Sequence, residues 1–142
     1  MLAGAGVFVL LHGGAEGSSR FGTAEVLGAL GLPQDPSPAE AGALLKTAGV
    51  AYVDLPKLHP ALARGVGLRP RLGVRTLMNT VARLLNPASA KTHLVGISHP
   101  PYFEKISGAL GRLGASRVLV LKGLEGEPEV SPAGSTPSLL WT

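Results

Sequence analysis

At 142 residues the chain is long enough for one domain with a real hydrophobic core. Hydrophobic residues make up 45% and charged ones 15%, which excludes a disordered chain. The net charge is +4, and the lack of cysteine excludes a disulfide framework, a thiolate metal site and a cysteine nucleophile.

Val7–Leu11 is a continuous apolar run, the pattern of a strand buried on both faces. It is about a quarter of a membrane span and lacks a basic leader, so neither an anchor nor a signal peptide is expected. His12-Gly13-Gly14 follows, then a loop of small polar residues to Phe21. Thr23–Leu30 has helical spacing and ends at Gly31. Pro38–Ala48 is a second helix, with Ser37 as N-cap, Pro38 at N1 and Glu40 at N3 to complete a capping box. Val50–Leu55 reads as a strand, Pro60–Val66 as a helix, and Arg75–Leu85 as a clearer helix stopped by Asn86-Pro87. Leu94–Ile97 is a strand, Tyr102–Leu113 an amphipathic helix, and Arg117–Leu121 a further buried strand. Leu139-Leu140-Trp141 closes the chain as an edge strand. Alternating strands and helices predict an α/β fold with a largely parallel sheet flanked by helices. No repeat or linker divides residues 1–142, so one α/β domain is expected.

Charge is unevenly placed. Residues 55–103 are 49 positions without Asp or Glu, yet they hold Lys57, Arg64, Arg69, Arg71, Arg75, Arg83 and Lys91. Residues 1–54 carry five acids against two bases. Such a segment concentrates a positive field and suits a polyanion, either a nucleic-acid backbone or a small phosphorylated molecule. Arg69, Arg71, Arg75 and Arg83 are the candidate anion contacts, because guanidinium presents several donors to phosphate and stays charged. Arg75, Asn79 and Arg83 are spaced four apart and form one stripe if that segment is helical. The competing reading is a solvated helix face. Contacts to phosphates alone would be non-specific and salt-sensitive.

His12, Gly13, Ser18 and Ser19 sit in or after the first strand-to-helix loop, where glycine lets backbone N–H groups approach a phosphate. His12 either faces a ligand or makes a loop hydrogen bond. His59 and His99 each precede proline and read as turn-fixing residues. No two histidines have helix-face spacing, so a histidine metal site is not expected. Glu125, Glu127 and Glu129 lie on a Gly- and Pro-containing loop and form a weak magnesium candidate, Glu129 above all.

Taken together, Leu11-His12-Gly13-Gly14, Ser18 to Glu25, His59-Pro60, Leu72-Gly73-Val74-Arg75-Thr76-Leu77-Met78-Asn79, Leu84-Leu85-Asn86-Pro87 and Ser131-Pro132-Ala133-Gly134 resemble the anthranilate phosphoribosyltransferases, the glycosyltransferase family 3 type. The resemblance runs through nearly the whole chain. It implies the C-terminal α/β portion of that fold without the N-terminal helical subdomain or the diphosphate-binding Gly-Thr-Gly-Gly-Asp loop. For a complete enzyme it implies phosphoribosyl diphosphate as donor, an aromatic amine such as anthranilate as acceptor, magnesium as cofactor, and a homodimer.

Departures accompany the matches. The family's donor-loop Lys and Asn are Leu11 and Gly14 here, and its magnesium-binding Asp-Glu pair aligns with Pro128-Glu129. The segments Arg75 to Pro87, Gly96 to Tyr102 and Lys122 to Glu127 resemble the YbiB-type paralogues. That branch implies a catalytically silent, dimeric, non-specific nucleic-acid binder. From this resemblance, nucleic acid is the expected partner, no cofactor is needed, residues 1–142 alone are inactive, and the cytoplasm is the expected location.

Overall fold

The computed structural model describes residues 2–14, 22–123 and 128–142. The chain divides into two compact units, Met1–Arg83 and Leu84–Thr142.

In the first unit, β1 (Val9–Gly13) pairs in parallel with β2 (Val50–Asp54), Val9 opposite Val50 and Gly13 opposite Asp54. The first strand thus starts two residues later than the apolar run suggests. A 3-10 turn at Ala3–Ala5 ends on Gly6 at φ 81°, and Val9 N–H donates to Gly49 O at 2.9 Å, which sets the register. Val7 and Phe8 fall before the strand and are exposed, and β1 is half-buried along its length. It pairs with β2 alone among the described residues, so it is not the doubly covered strand its sequence suggests.

Two helices carry the chain from β1 to β2: α1 (Thr23–Ala29) and α2 (Pro38–Ala48). α2 starts as its sequence predicts. Glu40 N–H donates to Ser37 Oγ at 3.3 Å, and Ser37 N–H donates to Glu40 Oε2 at 2.7 Å. Gly49 ends it in the left-handed region at φ 72°. Ala41 packs with Ala51 and Val53 of β2, flanked by Leu10, Leu44, Leu45 and Leu58. Burying aliphatic side chains of this kind stabilises by about 1.5–3 kcal/mol each for the larger ones.

After β2 the unit is helical: α3 (Leu55–Leu58), α4 (Pro60–Val66), α5 (Arg69–Leu72) and α6 (Leu77–Arg83). His59 caps α4, its Nδ1 accepting from Leu62 N–H at 3.2 Å, which gives the His-Pro pair the turn-fixing role expected of it. α6 is shorter than the predicted Arg75–Leu85 helix. Thr76 N–H donates to Asn79 Oδ1 at 2.8 Å, the N3-to-N-cap half of a capping box, so the helix begins after Thr76. The short α3 and α5 are not evident from apolar spacing.

In the second unit, β3 (Thr92–Gly96) pairs in parallel with β4 (Arg117–Leu121), and β5 (Ser138–Trp141) joins β4 antiparallel. Between β3 and β4 runs α7 (Tyr102–Arg112), which buries Ile106, Ser107 and Leu110. Its apolar face meets Val95, Ile97, Val118 and Val120, with Phe103 and Trp141 closing the core. The edge strand expected at the end of the chain is therefore present, and the sheets are parallel wherever a helix makes the connection.

Candidate functional site

A cleft of about 730 Å³ opens in the first unit. It lies where β1 and β2 end, the position at which open α/β folds place ligands. β1 contributes His12 and Gly13, followed by Gly14; the start of α1 contributes Thr23 and Glu25; β2 contributes Tyr52 and Asp54. Asn79 and Arg83 reach it from α6.

His12, Gly13, Asn79 and Arg83 are thus brought to one cleft. His12 is half-buried on β1. Asn79 and Arg83 are four residues apart on α6, but Arg75 precedes that helix and is exposed, so the three do not form one helical stripe. Asn79 is only 4% exposed, and its Oδ1 also accepts from Thr76 Oγ1 at 3.3 Å. Its first task is holding the start of α6. Arg69 and Arg71 lie on α5, half-buried and exposed respectively, and neither lines the cleft. Ser18 and Ser19 lie outside the described residues.

The electrostatics differ from those of the basic segment as a whole. Among the described residues Glu25, Asp35 and Asp54 are carboxylates of the lining, against one guanidinium, Arg83. Lys57, from the acid-free segment, reaches back to Asp35, with Nζ 2.8 Å from Oδ1 and 2.7 Å from the backbone O. That pair is solvent-exposed enough to add little stability.

Tyr52 and Asp54 are the residues that the sequence reading missed. They are two apart on β2 and therefore point to the same face. Tyr52 OH donates to Asp54 Oδ1 at 3.0 Å. Burial first, and the Asp54 carboxylate second, push the Tyr52 phenol above its ordinary pKa and keep it protonated. A Cβ placed on Gly13 would lie 3.7 Å from Tyr52 OH, and one on Gly14 would lie 3.7 Å from Asp54 Oδ1. The pair sits directly against the glycine loop. The available signal was two polar side chains at alternate positions in an otherwise apolar strand, beside its C-terminal end.

Among the described residues no group of three His, Cys, Asp or Glu side chains could hold a metal ion. Glu129 is exposed, and Glu125 and Glu127 lie outside the described residues. No helix among the described residues is long and apolar enough to cross a membrane.

Residues 1–140 match the glycosyl transferase family, a/b domain, and the chain belongs to that family. Among its curated relatives are the anthranilate phosphoribosyltransferase 2 of Ralstonia nicotianae, 40% identical over 136 residues, and the anthranilate phosphoribosyltransferase of Moorella thermoacetica, 40% identical over 134. These alignments cover 96% and 94% of this chain and 40% of each relative. The chain thus spans about 40% of the length of the curated relatives it matches.

The crystal structure of anthranilate phosphoribosyltransferase from Thermus thermophilus superposes with a TM-score of 0.77 at 32% identity, covering 96% of this chain and 44% of that one. The Saccharomyces cerevisiae enzyme, solved in complex with PRPP and Mg, shares the fold at TM-score 0.74 and 21% identity. It covers 99% of this chain and 42% of the yeast chain. The resemblance read from the sequence and the α/β fold it implies both hold.

Proposed function

We propose that the cleft of the first unit is part of a phosphoribosyl-transfer site, and that this chain supplies the α/β portion of a phosphoribosyltransferase acting on an aromatic amine. The observation that carries this reading is the convergence of His12-Gly13-Gly14 with Asn79 and Arg83 on one cleft. The identity to anthranilate phosphoribosyltransferases supports it.

In such a transfer the amine nitrogen bonds to C1 of the ribose as the C1–O bond to diphosphate breaks. The electron pair leaves on diphosphate, and the nitrogen releases one proton. Negative charge therefore grows on the leaving group, and a guanidinium aimed at it favours the transition state. Leu11 and Gly14 bring no charge to the loop, so that task falls to Arg83. Calorimetric titration of phosphoribosyl diphosphate with magnesium is the test. Losing a charge-assisted hydrogen bond in Arg83→Ala weakens binding by about 10-fold or more. Equal affinity in the variant, or no binding to the unaltered chain, sinks the proposal.

A second reading rests on a different surface. Arg64, Arg71 and Arg75 are exposed in the first unit, within the segment that carries no acid. That surface suits non-specific contact with a nucleic-acid backbone. Nothing in the family membership supports it, and it stands on charge alone.

A further inference from the structure

We infer that Tyr52 and Asp54 set the acceptor specificity of the cleft by presenting lone pairs to an N–H-bearing group, so that the preferred acceptor is a neutral or cationic amine without a carboxylate at that position. This rests on the transfer-site reading above and deepens it.

The argument is one of donors and acceptors. Tyr52 is 6% exposed, and its single proton is committed to Asp54 Oδ1 at 3.0 Å. What the pair then offers is the phenol oxygen and the carboxylate, which are acceptors only. Glycine at positions 13 and 14 puts no side chain of its own on this face, where a Cβ at either would be in van der Waals contact with the pair. A ligand group lying along the loop therefore meets acceptors on the β2 side.

An amino or amidinium group satisfies them. A carboxylate or phosphate placed there faces a like charge in a half-buried setting, where Coulomb repulsion is stronger than in water. Glu25 of the same cleft adds to that sign, Asp35 is paired with Lys57, and Arg83 on α6 is the guanidinium among the described lining residues. The cleft is thus polarised, with hydrogen-bond acceptors at the β2 side and a guanidinium on α6. Anthranilate, which bears both an amine and a carboxylate, is accommodated only with its carboxylate turned away from Asp54.

The test uses the 142-residue chain and three probes of similar size: aniline, benzamidine and benzoate. In calorimetric or ligand-observed titrations, aniline and benzamidine bind, and benzoate binds at least about 10-fold more weakly, the size expected for one charged contact of changed sign. Asp54→Asn is near-isosteric and brings the three affinities within about 3-fold. Tyr52→Phe, which removes the hydroxyl while keeping the ring, retains the discrimination against benzoate because the carboxylate remains. Circular dichroism of each variant separates lost specificity from lost folding, and Asp54→Ser serves as the second variant should Asp54→Asn unfold. Benzoate binding as tightly as aniline, no saturable binding of either amine, or a discrimination that survives the loss of Asp54 in a folded variant each overturns the inference. Donor binding is measured separately through Arg83. Failure of phosphoribosyl diphosphate to bind while amine selectivity persists removes the transfer reading and leaves an amine-binding cleft.

Discussion

Tyr52 shows how a single side chain links stability to the site. Its phenol is held protonated by burial and by the neighbouring Asp54 carboxylate, so the folded state binds that proton more tightly than the unfolded chain does. The sign follows directly. The contribution is fully present below the ordinary tyrosine value of about 10 and is lost as pH rises above it. Urea midpoints are expected to fall as pH rises from about 9.5 to about 11 in the unaltered chain, and to fall less steeply in Tyr52→Phe. The difference between the two proteins isolates Tyr52; parallel declines would refute it. His93 moves the opposite way. Burial in β3 holds its imidazole below the ordinary value, so its neutral form is favoured and stability declines as pH drops below about 6.5. Neither effect can be read from residue type alone, since both depend on what burial removes from water.

Among the elements, legibility followed how local the determinants are. The α2 boundaries come from Ser37, Pro38, Glu40 and Gly49, all within one turn of the helix ends, and the structure matches them residue for residue. The α6 start was misplaced because Asn79 reaches back to Thr76, a choice that competes with extending the helix to Arg75. The β1 boundary was misplaced because Val7 and Phe8 look like strand residues, and only pairing with β2 decides where the ladder begins. α7 carries a tertiary demand of its own. Gly111 faces Trp141, and a Cβ there would lie 2.5 Å from the indole Cζ2. Alanine improves helix propensity by about 1 kcal/mol over glycine, but forcing the ring aside typically costs about 1–3 kcal/mol. Gly111→Ala is therefore expected to lower the urea midpoint measured by circular dichroism. A raised midpoint would show that the ring relocates freely.

At the scale of the whole molecule, the alternation of strands and helices announced an α/β fold, and the resemblance named its family correctly. The sequence left the site half drawn. The glycine loop, Asn79 and Arg83 were legible because loop glycines and helix spacing are local signals. Tyr52 and Asp54 were not, since their importance depends on β2 lying beside β1 with Gly13 opposite Asp54. The concentration of arginines was plain in the sequence, but its use was not. Of the cationic segment, Arg83 alone brings a guanidinium to the cleft lining, which is otherwise rich in carboxylates. The nucleic-acid reading therefore concerns the outer surface and has its own test. If phosphates are bound there, log affinity for duplex DNA falls with log salt, and Arg71→Ala and Arg75→Ala each reduce the slope by about one. Binding indifferent to salt would remove that reading without touching the cleft.

The indole that rests on Gly111 is also the chain's single tryptophan. Its emission therefore reports on Leu84–Thr142, the unit that contains it, and a spectral red shift under denaturant dates the loss of that unit's core. Tyr52 in the first unit and Tyr102 in the second are the chain's two tyrosines, so the part of the phenolic absorbance change that Tyr52→Phe removes belongs to the first.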